Sequence, residues 1–148
     1  YFHELVGSNY RLTNIQAAIG FEQLKKIKKL LLQRKKIFNF YDSLIDQNYF
    51  EKLPKNKWSI NSYWLYTLIF KKKVNRNKII KFLAKKGIEI SPTFMPLNKM
   101  KPFKKYASGN YPNSNYIGNH GICLPSSNLT KKEQVYIAKA LNDATKKL

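Results

Sequence analysis

The stretch SYWLYTLIFKKKVNRNKIIKFLAKKGIEI, residues 62–90, decides the fold class. It opens with aromatic and branched residues on both alternating faces, the pattern of a strand that is covered on both sides. Asn75 can cap a helix that runs to about Lys86, and Gly87 suits the position just after a helix end. Residues 88–90 then begin a second strand. A strand, a helix and a strand within about 30 residues predict an α/β domain.

Upstream of this stretch, the sequence predicts one long amphipathic helix. Thr13 and Gln16 have the spacing of a capping box, in which each side chain satisfies the other residue's backbone N–H. Apolar residues then recur at steps of three, four or seven, with lysines mostly between them. They are Ala17, Phe21, Leu24, Ile27, Leu31, Phe38 and Tyr41. Gly20 costs about 1 kcal/mol relative to Ala inside a helix, so we expect a bend or a close contact there. The pattern fades near Ile45, and residues 54–57 predict a loop.

Downstream, the sequence predicts a long loop, a short strand and a final helix. Residues 92–119 are rich in Pro, Gly and Asn, and a long loop inside a compact domain is more often functional than decorative. Residues 122–124 have the composition of a short strand. Thr130 and Glu133 repeat the capping-box spacing. The helix that they begin carries Val135, Ala138 and Leu141 on its apolar positions.

Length and composition bound the class of protein. At 148 residues the chain is about one domain long, and its 43% hydrophobic and 14% aromatic residues exclude a disordered segment. No apolar run reaches the roughly 18 residues that span a bilayer, so no membrane partner is expected. The chain starts without Met and without a signal-peptide pattern, so we expect it to be a piece of a longer cytoplasmic protein. The single Cys123 predicts a buried thiol, and no metal site is expected.

Positive charge is the strongest bulk feature. The chain has 28 Lys and Arg against 8 Asp and Glu, a formal net charge of +20. Such an excess can attract nucleic acid or another polyanion. However, the basic residues are spread over several segments, and most are Lys rather than the Arg that forms bidentate contacts with phosphates and bases. A basic nucleic-acid-binding or interaction module is therefore the second hypothesis.

The polar segment before the predicted long helix carries the chemical signal. GSNYRLTNIQAAIG, residues 7–20, places the Asn9 amide, the Tyr10 phenol and the Arg11 guanidinium at successive positions after a glycine. An amide donor beside a guanidinium suits a phosphate or a sugar hydroxyl through directed, partly charge-assisted hydrogen bonds. The spacing alone leaves open that these are ordinary polar residues at the start of a helix.

Residues 7–20 resemble the signature that precedes the long helix of the DegT/DnrJ/EryC1/StrS sugar aminotransferases. The resemblance continues in that helix through Gln23, Leu24 and Arg34. The loop by which family members contact their substrate is similar to residues 87–89, 94–98 and 102–103. The closing strand and final helix of the family are similar to residues 124–127 and 129–130.

The resemblance implies the small C-terminal α/β domain of a type I pyridoxal phosphate (PLP) fold, preceded by a long interdomain helix. Residues 1–45 would form an active-site loop and the linking helix, and residues 46–148 the small domain. The large PLP-binding domain would be absent from this chain. Family members act as homodimers with active sites at the subunit interface. They transfer an amino group, usually from glutamate, to a nucleotide-linked keto sugar.

Specific residues take roles by the same resemblance. Asn9 would donate to the PLP phosphate of the partner subunit, and Arg11 would help bind the substrate there. Asn98 and Tyr106 would approach the sugar or its diphosphate. His3 would be a substrate contact, with an ordinary core or surface histidine as the alternative. The family's Schiff-base lysine lies upstream of the matching residues, so we expect no catalytic residue on this chain and no activity from it alone.

Two departures from the family pattern bear on the substrate. Ser91 stands where many relatives have Arg, and Asn98 stands where many have His. An Asn side chain can donate and accept hydrogen bonds but cannot titrate near neutrality. Asn in this loop resembles the members that act on 4-keto-6-deoxy sugars. A third hypothesis is a non-catalytic remnant that pairs with an intact homologue through the long helix.

Overall fold

The computed structural model describes residues 2–52, 54, 56–71 and 74–147. The helices are α1 (Asn14–Leu24), α2 (Ile27–Leu44), α3 (Arg76–Ala84), α4 (Pro112–His120) and α5 (Lys131–Lys147). The strands are β1 (Phe50–Lys52), β2 (Tyr66–Phe70), β3 (Ser91–Pro92) and β4 (Gly121–Leu124). Two 3₁₀ turns, Leu97–Lys99 and Lys104–Tyr106, lie between β3 and α4. The chain is therefore the mixed α/β domain that its sequence predicts.

The strands form one sheet in the order β1-β2-β4-β3, and every neighbouring pair is antiparallel. Tyr66 lies opposite Leu124 in the central pair, and Ser91 lies opposite Cys123 in the edge pair. Because β4 runs antiparallel to both β2 and β3, those two strands are parallel to each other, and α3 connects them. The predicted strand–helix–strand order is confirmed, with β4 inserted between the two strands.

One hydrophobic core joins the sheet to α2, α3 and α5. α5 packs against both of the other helices, and its Leu141 is fully buried. Polar groups inside this core are paired, as the cost of burying an unpaired polar group requires. The Gln134 Nε2 donates to the Ile37 carbonyl at 2.9 Å, and the Tyr41 hydroxyl donates to the Pro125 carbonyl at 2.9 Å. Burial raises the pKa of the Tyr41 phenol above its ordinary value.

The predicted boundaries of α3 and α5 are confirmed by their caps. The Asn75 side chain accepts a hydrogen bond from the Lys78 N–H at 3.1 Å. Gly87, with φ of 72°, adopts the left-handed conformation that Gly adopts at no steric cost after a helix. At α5, the Thr130 N–H donates to the Glu133 carboxylate at 2.7 Å, and the Glu133 N–H donates back to the Thr130 hydroxyl.

Two helices stand where a single long helix was predicted. α1 begins at its capping box, in which the Thr13 N–H donates to the Gln16 side chain at 2.9 Å. After α1, the Lys26 N–H donates to the Gln23 carbonyl three residues back, and this tight turn separates α1 from α2. Lysine is a good helix former, so nothing in the local residues marks this break. Gly20 lies inside α1, and no described atom lies within 4 Å of a Cβ built there, so the close contact is not found among the described residues, while the bend stays a prediction.

The sheet and the long loop also differ from the prediction. β2 begins at Tyr66 rather than Ser62, and Tyr63 has a φ of 55°, which lies outside the strand region. The second strand comes just after residues 88–90, which have no strand pairing. β1 was not predicted, since three residues are too few to show alternation. The loop expected over residues 92–119 contains α4, a helix whose polar, Asn-rich sequence lacks an apolar stripe.

Cys123 is buried in β4, as the sequence predicts. Its Sγ lies 3.6 Å from the Thr67 Oγ1. Burial raises the pKa of this thiol, and hydrogen bonds with Thr67 and Ser91 oppose that shift. A buried neutral thiol of this kind behaves as a small apolar side chain.

Candidate functional site

Asn9 lies in an exposed segment that precedes α1 and has no regular secondary structure. Its Oδ1 accepts a hydrogen bond from the Arg11 N–H at 2.8 Å, a local turn that Asn side chains favour. This turn accompanies a left-handed φ of 62° at Arg11, which is uncommon for a residue with a Cβ. The Asn9 Nδ2 donates to no other described residue. Its N–H groups are therefore free to donate to an external ligand.

Arg11 and His3 are the other candidates in this segment. Both side chains are exposed. Within the described ranges, neither side chain has a hydrogen-bond or ion-pair partner. The Asn9 amide and the Arg11 guanidinium are therefore both accessible to an external ligand. The structure assigns no role to His3.

Asn98 and Tyr106 come together in one cleft. Asn98 lies in the first 3₁₀ turn and Tyr106 in the second, and both line a cavity of about 350 Å³. The other lining residues are Leu97, Phe103, Ala107, Tyr111 and Ser114. Three aromatic rings, one amide and three hydroxyls form the mixed apolar and polar lining that small-molecule sites have. The volume suits a sugar-sized ligand.

The segment of sequence that forms this cleft carries charge of one sign. Between Glu89 and Glu133 the sequence contains no acidic residue. Exposed lysines lie in and between the two 3₁₀ turns, at Lys99, Lys101, Lys104 and Lys105. The Lys105 ammonium lies 4.9 Å from the centre of the Tyr106 ring. This local excess of positive charge favours an anionic ligand, such as one that carries phosphates.

The predicted residues form two groups rather than one site. Asn9 and Arg11 are joined by their turn, and Asn98 and Tyr106 share the cleft. The first pair and His3 do not line that cleft. The structure also contains a larger cavity of about 600 Å³ between α2 and residues 54 and 56–61, and none of the five predicted residues lines it. We therefore centre the candidate site on the smaller cleft, where the predicted residues lie.

Two other kinds of site are not seen in the part of the chain that the structure describes. None of its helices has both the length and the apolar character to cross a bilayer. No group of three His, Cys, Asp or Glu side chains there could hold a metal ion.

The fold and the cleft together define a small α/β domain that offers a sugar-sized site and a separate amide–guanidinium pair. The chain matches the model of the DegT/DnrJ/EryC1/StrS aminotransferase family over residues 1–142, and it belongs to that family. The resemblance read from residues 7–20 is thereby confirmed. PLP is the cofactor of this family.

Individual relatives agree with this assignment. The chain is 30% identical over 145 residues to the GDP-perosamine synthase of Escherichia coli O157:H7, covering 97% of this chain and 39% of that protein. It superposes on a Streptococcus pneumoniae structure named as a sugar aminotransferase in its PMP form, with a TM-score of 0.82 and 30% identity, over 92% of this chain and 36% of the other. For Helicobacter pylori PseC, an aminotransferase of pseudoaminic acid biosynthesis, the TM-score is 0.79 and the identity 26%, over 97% and 40%. The chain thus spans about two fifths of the relatives it matches.

Sequence reasoning missed part of the cleft. Phe103 was quoted only as part of a motif, while Tyr111 and Ser114 were not singled out. Asn115 was also missed, although its Oδ1 accepts a hydrogen bond from the Asn98 Nδ2 at 3.4 Å. The last three residues belong to α4 or to its N-cap, so they could not be placed beside Asn98 while the segment was taken for a loop.

Proposed function

We propose that this chain is the C-terminal portion of a cytoplasmic, PLP-dependent nucleotide-sugar aminotransferase that works as a homodimer with shared active sites. The family match over residues 1–142 carries the proposal. In this proposal residues 1–45 provide an active-site loop and linking helix, and residues 46–148 the small domain. The amino donor is glutamate, and the acceptor is a nucleotide-linked keto sugar.

The Asn9 amide fits the phosphate of PLP. Its carbonyl oxygen is already used by the Arg11 N–H, so the side chain is held with its donor atoms available. An N–H donor is what a phosphate oxygen needs, and the neighbouring Arg11 adds a positive charge. When bound, PLP supplies the electron sink for amino-group transfer. In this chain, Asn9 would help hold that group at the partner subunit's site.

Asn98 and Tyr106 would bind and orient the sugar. The Asn98 amide cannot exchange a proton near neutrality, so its part is to donate and accept hydrogen bonds rather than to act as acid or base. Tyr106 offers a ring face and a hydroxyl at the rim of the cleft, where 70% of the residue is exposed. Arg11 and the lysines near the cleft would balance the charge of the diphosphate.

The Schiff-base lysine would come from outside residues 1–148. The matched part amounts to 39% of the E. coli relative, and the resemblance assigns the cofactor lysine to the segment upstream of it. We therefore expect no transamination from this chain alone.

Absorbance spectroscopy tests this proposal. PLP is added to the 148-residue chain and to the same chain extended upstream by the sequence that its gene encodes. We expect only the extended protein to develop the near-visible band of PLP joined to a protein lysine, and we expect glutamate to remove it. GDP-4-keto-6-deoxy-D-mannose, a compound in the name of another family member, is the first acceptor to supply. If the extended protein develops no such band, the aminotransferase proposal is wrong.

A further inference from the structure

The loop that carries Asn98 lies along one side of α4. We name residues 93–98 the substrate loop. At its start, the Thr93 hydroxyl donates to the Ile117 carbonyl at 2.7 Å. At its end, the Asn98 Nδ2 donates to the Asn115 Oδ1 at 3.4 Å. The substrate loop is thus attached to the same helix at both ends.

Two glycines let the substrate loop approach this closely. A Cβ at Gly118 would lie 2.5 Å from the Pro96 Cδ, a distance that Cβ atoms essentially never show. A Cβ at Gly121 would overlap the Thr93 side chain. Neither glycine has a positive φ, so the requirement is for space rather than for backbone freedom. Pro96 is buried at this contact, which leaves it little room to move.

Arg76, the first residue of α3, secures the far end of α4. Its Nη1 donates to the Gly118 carbonyl at 2.7 Å and to the Gly121 carbonyl at 3.2 Å. Carbonyls in the last turn of a helix have no partner within the helix, so the guanidinium satisfies the Gly118 carbonyl and helps to fix the position of this end. The Gly121 carbonyl, in β4, also accepts a hydrogen bond from the Thr93 N–H at 3.1 Å. α4 is therefore held by Arg76 of α3 at its C-terminal end, and its Ser114 lines the cleft near its N-terminal end.

We infer that α4 sets the position of the Asn98 amide, with Gly118 and Asn115 as positioning residues for substrate binding. The inference rests on the proposed function, because it assigns Asn98 to the substrate. Asn115 is not part of the cleft lining, so it acts through Asn98. With the Nδ2 held by Asn115, the Asn98 Oδ1 is the acceptor offered to a ligand hydroxyl.

The first test needs no ligand and uses the 148-residue chain. Gly118→Ala and Asn115→Ala are compared with the parent chain by ¹H–¹⁵N NMR. We expect Gly118→Ala to shift the backbone amides of residues 93–98 and the side-chain amide of Asn98, and Asn115→Ala to shift that side-chain amide. Gly20→Ala is the matched control, because this glycine also lies inside a helix and a Cβ there would have no described atom within 4 Å. Unchanged signals from the substrate loop in both test variants would overturn the inference.

The second test measures kinetics in the extended protein with GDP-4-keto-6-deoxy-D-mannose. We expect Asn115→Ala to raise KM for the sugar nucleotide about fivefold with kcat nearly unchanged. A change of this size is what the loss of one hydrogen bond does to a binding constant. Asn115→Asp keeps an acceptor oxygen for the Asn98 Nδ2, so we expect it to remain within about twofold of the parent. Equal KM values for Asn115→Ala and the parent contradict the inference, as does an Asp variant impaired like the Ala variant.

The two tests separate the inference from the proposed function. An extended protein without aminotransferase activity disproves the function, while the NMR comparison still decides whether α4 fixes the substrate loop. If Gly118→Ala fails to fold, the Asn115 variants decide the matter, because Asn115 is only partly buried and its substitution leaves the core intact.

Discussion

The helices α1 and α5 begin with the same kind of cap but differ in how much of each helix is buried. Both start with a Thr N-cap whose capping box is closed by the side chain three residues later. α5 buries seven residues, among them Leu141, whereas α1 has no buried residue among those that the structure describes. Its Ile15, Ile19 and Leu24 are 75%, 61% and 62% exposed. The cap thus fixes where a helix begins, and packing decides whether the helix is stable.

The exposed apolar residues of α1 are those that we expect the rest of the proposed enzyme to cover. A helix of 11 residues is marginal in water without tertiary contacts. α1 follows directly on the segment with Asn9 and Arg11, so a partner that covers α1 would also bring these side chains into place. Under the proposal that partner is the rest of the enzyme. The core region, by contrast, already has its contacts within this chain.

The largest expected effect concerns activity in mixed dimers of the extended protein. Asn9→Ala is expected to weaken PLP retention, and a variant of the Schiff-base lysine is expected to be inactive. In a mixed dimer of the two, one site combines the intact lysine of one subunit with the intact Asn9 of the other. The second site carries both substitutions and is inactive. With random pairing, we expect mixing to restore about a quarter of the parent activity. Activity is measured after the subunits have exchanged, with each variant alone as the control, and no recovery in the mixture would sink the shared-site proposal.

The next largest expected effect is a difference in the free energy of unfolding between substitutions in α5 and in α1. Leu141→Ala in α5 should lower the free energy of unfolding by about 2–5 kcal/mol, since it removes a fully buried side chain and leaves a cavity. Leu24→Ala in α1 is the matched control and should change it by less than about 0.5 kcal/mol. Urea unfolding of the 148-residue chain, followed by circular dichroism, measures both. Equal losses for the two variants would mean that α1 is packed in solution.

Removing the N-cap hydroxyl of each helix is expected to have a smaller effect, which again differs between α5 and α1. Thr130→Ala should cost about 1 kcal/mol of unfolding free energy, because the start of α5 then loses its side-chain acceptor. Thr13→Ala removes the same group from α1, where no packed structure depends on it. We expect that variant to leave the unfolding midpoint unchanged and only to reduce the helical signal. A matching stability loss at Thr13 would contradict this view of α1.

Local sequence patterns predicted the parts of this fold that local interactions determine. The caps at Thr13, Asn75 and Thr130 and the turn at Gly87 follow from side chains within a few residues, and all are found. The strand order was not predictable in this way, because β4 enters between β2 and β3 through long-range pairing.

The residues of the candidate site also differ in how far the sequence could predict them. Asn98 and Tyr106 were assigned through resemblance, and the structure places both in one cleft. Asn115 was missed because its helix has a weak sequence pattern and is held in place by contacts from distant residues such as Arg76. The relation of Asn9 to the cleft depends on structure outside residues 1–148 in the proposed enzyme, so no pattern within the chain could reveal it.

The smallest expected effect is the pH dependence of the α5 cap. Hydrogen bonds from Thr130, first from its hydroxyl and then from its N–H, lower the pKa of the Glu133 carboxyl below its ordinary value of 4.5. The unfolded chain therefore takes up this proton first as the pH falls. The stabilisation is present above pH 4.5 and is lost as the pH falls through the lower, folded-state value.

Glu133→Gln isolates this contribution, because the amide keeps an acceptor oxygen but carries no charge to titrate. We expect the parent chain to be more stable than the variant at pH 7, and the difference to shrink steadily below about pH 4.5. Urea midpoints at several pH values measure it. Glu22→Gln in α1 is the matched control, since it removes only an exposed ion pair with Lys25, and such pairs contribute little to stability. A parent–variant difference that stays constant from pH 7 to pH 3 would show that the charge of Glu133 plays no part in holding the start of α5.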